Sequence, residues 1–469
     1  MFRRVIFLLI FAVAAQATSV QDRTAYIQSA IEKTIETADP TAQVGIEVVA
    51  LNGELSYEKN SNKRYVPGSN VKLFVAAAAL DLLGANYQFE TRMMTDGKVK
   101  KGELVGNCYL VASGDPSLDV AGLEEIIHLM KENGVDRIKG DLILDLSVFD
   151  DITQGPGWMW DDTDTYCFSP LNGIILEHNC IQFTVKPGSE AGRPCYVDLY
   201  PRCGAISILN RSVTGKGGSN VSVERLYDGR FEVVGSLEIG DEPKEFMQPV
   251  REPHAFVADV MKVLFKQNQI VFDGEVKVGM CVKHVKEIGI HRSKPLSEIL
   301  IPTLKESDNL YADALFKKVG EVRYGAPGSW QKGSRAVRDF LEQKVGLDIG
   351  EMIVVDGCGA SRYNLVSAHQ MVSFLKWVHD KFVYRDALKA ALPIGGVDGS
   401  LKKRMTAPFL VSKVRAKTGT MTGVSSLCGY LNDEIAFAIF VNGYVKSGRE
   451  IKGKIEDEIC HVLLNSAVE

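Results

Sequence analysis

The sequence predicts an α/β (α+β) fold in which an antiparallel sheet is flanked by helices and carries one or two strand-rich inserted domains. Both ends of the chain show helical and antiparallel-strand periodicity, whereas the middle shows short β runs separated by turn clusters. Size agrees: 469 residues is about three domains at roughly 150 residues each, or one large domain with insertions.

The elements follow in order. Residues 1–17, MFRRVIFLLIFAVAAQA, combine the basic pair Arg3 and Arg4, an apolar run from Val5 to Ala15, and small residues at Ala15 and Ala17. That pattern predicts a secretory signal cleaved after Ala17, since the run is short of the roughly 20 apolar residues a membrane anchor needs. Thr24 to Thr37 predicts an amphipathic helix with Ile27, Ile31 and Ile35 on one stripe. Gln43–Leu51 predicts a strand, with Asn52-Gly53 turning into a second at Glu54–Lys59. A helix over Val71–Leu83 follows Pro67-Gly68 and stops at Gly84. Near the other end, Phe409–Lys417, Val424–Leu431 and Glu434–Tyr444 predict strands, the last two joined at Asn432-Asp433, before a closing helix over Lys452 to Asn465.

The two ends are thus expected to form one discontinuous domain, 18–97 with 287–469. The region 98–286 is expected to be inserted, as two nested strand-rich domains. Within it, β runs recur at Cys180–Lys186, Cys195–Tyr200, Val221–Leu226 and Phe231–Leu237, with helices at Leu123–Asn133 and His254–Gln267.

Composition excludes several classes. With 45% hydrophobic and 24% charged residues the chain is neither disordered nor fibrous. Its net charge of −5 offers no basic stripe for nucleic acid. Losing the signal takes two of the 54 basic residues, leaving 52 against 59 acidic ones, net −7. No other apolar stretch is long enough to span a bilayer, so a periplasmic or secreted protein without an integral membrane segment is expected. There, nine cysteines could form up to four disulfides with one thiol over. There is no C-x-x-C pair and the eight histidines are scattered, so disulfides or inert buried thiols are favoured over zinc.

Three short segments can carry chemistry. Ser69-Asn70-Val71-Lys72 opens the Val71–Leu83 helix, placing a hydroxyl and an amine one turn apart on one face. Serine is a weak nucleophile until a base takes its proton, and a lysine kept neutral by burial or a neighbouring cation can serve. The same spacing occurs at Ser56/Lys59, Ser329/Lys332, Ser373/Lys376 and Ser400/Lys403, and Ser69 could simply cap its helix. Ser307-Asp308-Asn309 lies between helical stretches Leu296–Leu304 and Leu310–Val319. Its hydroxyl and carboxamide suit a proton relay and a substrate amide, although a helix cap would use the same residues. Lys417-Thr418-Gly419-Thr420 ends a predicted strand; its cation and hydroxyl suit a carboxylate, and the glycine would let an extended ligand approach.

The ordered triple S-x-x-K, S-D-N, K-T-G is a signature of penicillin-recognising serine enzymes. Gly114-Asp115-Pro116-Ser117-Leu118, the stretch from Gly155 to Asp162, Asp356-Gly357-Cys358-Gly359-Ala360-Ser361-Arg362, and Leu392-Pro393 with the segment Gly395 to Leu401 extend the similarity, as do the 238 positions separating Ser69 from Ser307. The chain resembles the class C low-molecular-mass penicillin-binding proteins, the D-alanyl-D-alanine carboxypeptidase/endopeptidases. The resemblance implies a penicillin-binding, serine β-lactamase-like transpeptidase domain. It implies hydrolysis of peptidoglycan stem peptides and cross-links, with β-lactam antibiotics as covalent inhibitors and no metal or organic cofactor.

It further implies Ser69 as the acylated nucleophile, Lys72 as its base, Ser307 as proton relay, and Asn309 as a grip on the substrate backbone. Lys417 would help keep Lys72 neutral and, with Thr418, draw the terminal carboxylate. The backbone of Ser69 and Thr420 would form the oxyanion hole beside Gly419. Asp162, Phe168 and Arg362 resemble positions that hold the zwitterionic end of diaminopimelate; Asp161 or Asp164 are alternatives to Asp162, and a structural salt bridge competes for Arg362. Cys358 stands where the family usually has serine, either as a conservative swap or as a partly exposed thiol near the cleft. The rival functions are a serine β-lactamase, disfavoured because such enzymes keep these motifs much nearer together and because no E-x-x-L-N segment of the class A enzymes follows Asn309, and a non-catalytic cell-wall scaffold.

Overall fold

The computed structural model describes residues 20–468 apart from 54, 163, 164, 205, 216 and 217. The expected signal segment and Asp164 therefore lie outside the described residues. The chain divides into two compact units: the described parts of Met1–Asp81, Leu300–Asp308 and Val337–Glu469 form the first, and Leu82–Ile299 with Asn309–Ala336 the second.

The first unit is built on an antiparallel sheet of β1 (Gln43–Ala50), β2 (Ser56–Lys59), β3 (Val414–Met421), β4 (Val424–Leu431) and β5 (Ile435–Asn442), in the order β2-β1-β5-β4-β3. Every position of β4 and β5 is buried, because helices cover both faces of the sheet. On one face, Ile27, Ile31 and Ile35 of helix α1 (Val20–Ala38) pack with Val44, Ile46, Phe437 and Ile439. The other face takes α2 (Val71–Leu83) and α4 (Ala368–Lys381), which meet edge to face at Phe74 and Phe374, 4.9 Å between ring centres. The mostly apolar, alanine-rich sequence of α2 suits this: ten consecutive residues from Val71 to Leu80 are buried, including Lys72.

Two expectations shift. The strand predicted from Phe409 begins only at Val414, because Leu410 and Val411 close turns onto the Ala407 carbonyl. It then continues to Met421, so Lys417-Thr418-Gly419-Thr420 runs inside the strand rather than ending it. The stretch before Ser307 is helical only over Leu296–Ile301; Pro302–Glu306 widens into a π-type turn that stops at Ser307.

The second unit is strand-rich. A five-stranded mixed sheet runs in the order Val276–Val278, Leu142–Asp145, Cys108–Val111, Glu90–Thr95, Lys286–Arg292. A three-stranded antiparallel sheet is centred on Cys180–Lys186. Helices Val120–Glu132 and Pro253–Gln267 bury their apolar faces in a core with Leu110, Leu144 and Phe183. Helix α3 (Asn309–Tyr324) also belongs here, where the fully buried Lys317 binds Asp150 and the Ile152 carbonyl at 2.6 and 2.7 Å.

Of the two readings left open for the cysteines, disulfides or thiols, the described structure shows thiols at Cys108, Cys195, Cys203, Cys281, Cys428 and Cys460. Burial pushes the Cys108 thiol up to about 12, so it behaves as an inert apolar side chain.

Candidate active site

Ser69 sits in a single 3₁₀ turn, Gly68–Asn70, immediately ahead of α2. Lys72 is one turn on, fully buried, and its Nζ donates to Ser69 Oγ at 2.9 Å and to the Cys358 carbonyl at 2.8 Å. An amine that hydrogen-bonds the hydroxyl directly is placed to take its proton.

Two glycines permit this crowding. Gly359 has φ of +82°, and a Cβ there would lie 2.0 Å from the Gly68 carbonyl oxygen. A Cβ on Gly419 would lie 2.3 Å from Ser426 Oγ, 2.6 Å from the Pro67 carbonyl oxygen and 3.1 Å from the Ser69 nitrogen. The space of the missing Gly419 side chain is filled by the Ser69 turn itself. Ser426, the register partner of Gly419, donates to the Pro67 carbonyl at 2.7 Å and accepts from Asn70 Nδ2 at 2.8 Å. These two fully buried residues clamp the turn to the sheet, and sequence reasoning missed both. Asn70 was visible inside the first motif, but nothing in one sequence pairs it with a serine 356 positions away.

The loop around Cys358 is tied down by Asp356, which accepts from the backbone of Gly359 and Ser361 at 3.0 and 2.7 Å and from Asn364 Nδ2 at 2.6 Å. Cys358 itself is fully buried and its Sγ donates to Asp356 at 3.6 Å. The partly exposed thiol is thus corrected to an inward-facing one, because Asp356 draws Sγ inward while the backbone carbonyl faces Lys72.

Ser307 and Lys417 also meet. Lys417 Nζ donates to Ser307 Oγ at 2.8 Å and to the Thr418 carbonyl at 2.7 Å. Burial, and then the nearby Lys72 charge, holds Lys417 well below the ordinary lysine range. Ser307 takes φ of 62°, a left-handed conformation that a serine adopts at a cost, and such outliers concentrate at functional sites. Thr418 Oγ1 donates to Ser400 Oγ at 2.7 Å, and Thr420 is exposed at the strand's outer end.

The remaining candidates are placed as follows. Asn309 starts α3 in the second unit and donates to the Cys167 carbonyl at 3.0 Å. Phe168, in the same unit, packs edge-on against Trp158 at 5.1 Å. Asp162 accepts from the Met159 N–H at 3.1 Å. Arg362 belongs to the first unit; it is exposed and donates to the Thr422 carbonyl at 2.8 Å, and among the described residues it makes no ion pair.

Residues 27–464 match the profile of the D-Ala-D-Ala carboxypeptidase 3 (S13) family. The D-alanyl-D-alanine carboxypeptidase DacB of Haemophilus influenzae is 32% identical over 409 residues, covering 84% of each chain. The crystal structure of penicillin binding protein 4 (dacB) from the same organism superposes with a TM-score of 0.81 at 29% identity, over 94% of this chain and 99% of that one. Its complex with a β-lactam superposes at 0.75 and 28% identity, over 93% and 98%.

Proposed function

The chain belongs to the D-Ala-D-Ala carboxypeptidase 3 (S13) family and is an enzyme of that kind, and we propose that it works through an acyl-enzyme on Ser69. Lys72 takes the Ser69 proton as Oγ attacks the carbonyl of the penultimate D-alanine, and the C–O bond forms as the carbonyl π pair moves to oxygen. The backbone N–H groups of Ser69 and Thr420 hold that oxyanion, a contribution of about 3–4 kcal/mol per donor. Ser307 hands a proton to the departing amine as the C–N bond breaks, Asn309 holds the substrate backbone, and Lys417 with Thr418 binds the terminal carboxylate. Water then hydrolyses the ester. The observation that carries this reading is the direct Lys72 to Ser69 hydrogen bond, at 2.9 Å.

The substrates are peptidoglycan stem peptides. The same acyl chemistry with a diaminopimelate amine as leaving group would cut cross-links. Asp162, Phe168 and Arg362 would grip the free zwitterionic end of a diaminopimelate side chain, the inserted region 98–286 supplying the first two. β-Lactams acylate Ser69 in the same way, a reading supported by the relative's β-lactam complex. The signal-like segment 1–17 supports an extracytoplasmic location, and among the described residues no helix is long and apolar enough to cross a membrane.

Intact-mass spectrometry after brief exposure to benzylpenicillin tests this. A long-lived adduct mapped to Ser69, and absent in Ser69→Ala, is expected. An adduct that disappears within seconds as penicillin is consumed would indicate a β-lactamase, and no adduct would indicate a non-catalytic scaffold.

A further inference from the structure

The segment from Asp398 to Leu401 reaches two parts of the site in the first unit. Lys305, two residues ahead of Ser307, forms an ion pair with Asp398, whose other oxygen accepts from the Ile394 N–H at 2.9 Å. A Cβ on Gly399 would lie 2.6 Å from the Lys305 carbonyl oxygen, so this backbone rests directly on the turn that presents Ser307. Leu401 anchors the far side in the core. Ser400 is thereby held in place while remaining exposed, and its Oγ lies 2.7 Å from Thr418 Oγ1.

The bond between these two hydroxyls uses one of their two protons and leaves the other for a third group. Thr418 is buried whereas Ser400 is exposed, so of this pair Ser400 is the one that presents its hydroxyl to an arriving ligand. Lys417 is the residue adjoining Thr418 on the same strand. We propose that Ser400 is a further substrate-binding residue, whose hydroxyl donates to the carboxylate that flanks the scissile bond on the leaving-group side. The inference rests on the reading of Lys417 and Thr418 as the carboxylate site and extends it by one residue: Ser400 contacts the carboxylate beside Thr418. The same contact serves a terminal D-alanine and a cross-link, because both leaving amines carry a carboxylate on the adjacent carbon.

Two peptidyl thioesters test it, one releasing a mercapto acid and the other an alkyl thiol of similar size without a carboxylate. The full-length protein, Ser400→Ala and Ser400→Thr are compared for kcat/KM on each. Ser400→Ala is expected to lose about ten-fold on the carboxylate thioester, mainly through KM, as a hydrogen bond to a charged group predicts. Its rate on the alkyl thioester should stay close to wild type, and Ser400→Thr should restore the carboxylate preference. Equal losses on both thioesters, or no loss on either, would overturn the assignment. Failure of the unmodified protein to form any acyl-enzyme from either thioester would instead overturn the underlying acyl-enzyme reading.

Discussion

Each of the two units buries lysine completely, and they do so in different ways. In the strand-rich unit Lys317 faces the Asp150 carboxylate, the Ile152 carbonyl and the ring of Trp330, with Nζ 4.9 Å from its centre. In the sheet unit Lys417 donates to the Ser307 hydroxyl and the Thr418 carbonyl, and Lys72 donates to the Ser69 hydroxyl and the Cys358 carbonyl. Burial lowers the proton affinity of Lys317 while Asp150 works to raise it again. For Lys417 the strongest nearby influence after burial is another lysine, so both effects push the same way. A buried ammonium with a carboxylate partner is a tie between chain segments; one facing hydroxyls is poised to exchange protons with them.

The sharpest way to break this contrast is to replace one lysine of each kind with methionine. Lys72→Met should slow acylation by benzylpenicillin by about 10³-fold, the usual scale of a lost general base. Its melting temperature should hold or rise, because an apolar side chain suits the site. Lys317→Met should do the reverse, leaving Asp150 without its cation and costing about 2–3 kcal/mol in urea unfolding, somewhat less than a fully buried pair because Asp150 is partly exposed. Acylation should change little. If Lys317→Met instead abolishes acylation in a stable protein, the two kinds of lysine are not distinct.

A smaller effect should follow at the loop that presents the Cys358 carbonyl to Lys72. Gly359→Ala must place a Cβ in left-handed backbone against the Gly68 carbonyl oxygen, costing about 1–3 kcal/mol. Because the displaced group is the Ser69 turn, acylation should slow along with the loss of stability. Stability lost with an unchanged acylation rate would show that the loop is only structural.

The smallest effect is a slope. Where the Lys417 ammonium has already lost its proton in the folded protein but keeps it when unfolded, the unfolded chain binds more protons, so stability rises with pH. The window runs from the lowered folded value up to the ordinary lysine range, and the burial penalty is felt in full below it. The slope is at most about 1.4 kcal/mol per pH unit, and Lys417→Met should remove it from urea titrations taken across the alkaline range. Over the same window KM for a carboxylate-bearing peptide should rise as the attracting charge is lost. A wild-type slope identical to that of Lys417→Met would place the Lys417 titration elsewhere.

Local pattern was enough for much of this protein. The Ile27, Ile31 and Ile35 stripe, the hairpin at Asn52-Gly53 and the buried runs of β4 and β5 were legible because periodicity and turn chemistry act over a few residues. The ordered motifs located Ser69, Lys72, Ser307 and Lys417, each of which the structure joins to another of the four by a hydrogen bond. Boundaries were less legible. The apolar residues from Phe409 mimic a strand, and only the turn closing on Ala407 shows otherwise. What the tertiary structure alone decided are the partners with no sequence period: the Cys358 carbonyl that anchors Lys72, Ser426 beneath the Ser69 turn, and Ser400 beside Thr418. A backbone carbonyl has no residue signature, and a serine is chemically silent until folding brings it to its partner. The sequence determined which chemistry the chain can perform; long-range packing decided which ordinary residues hold it in place.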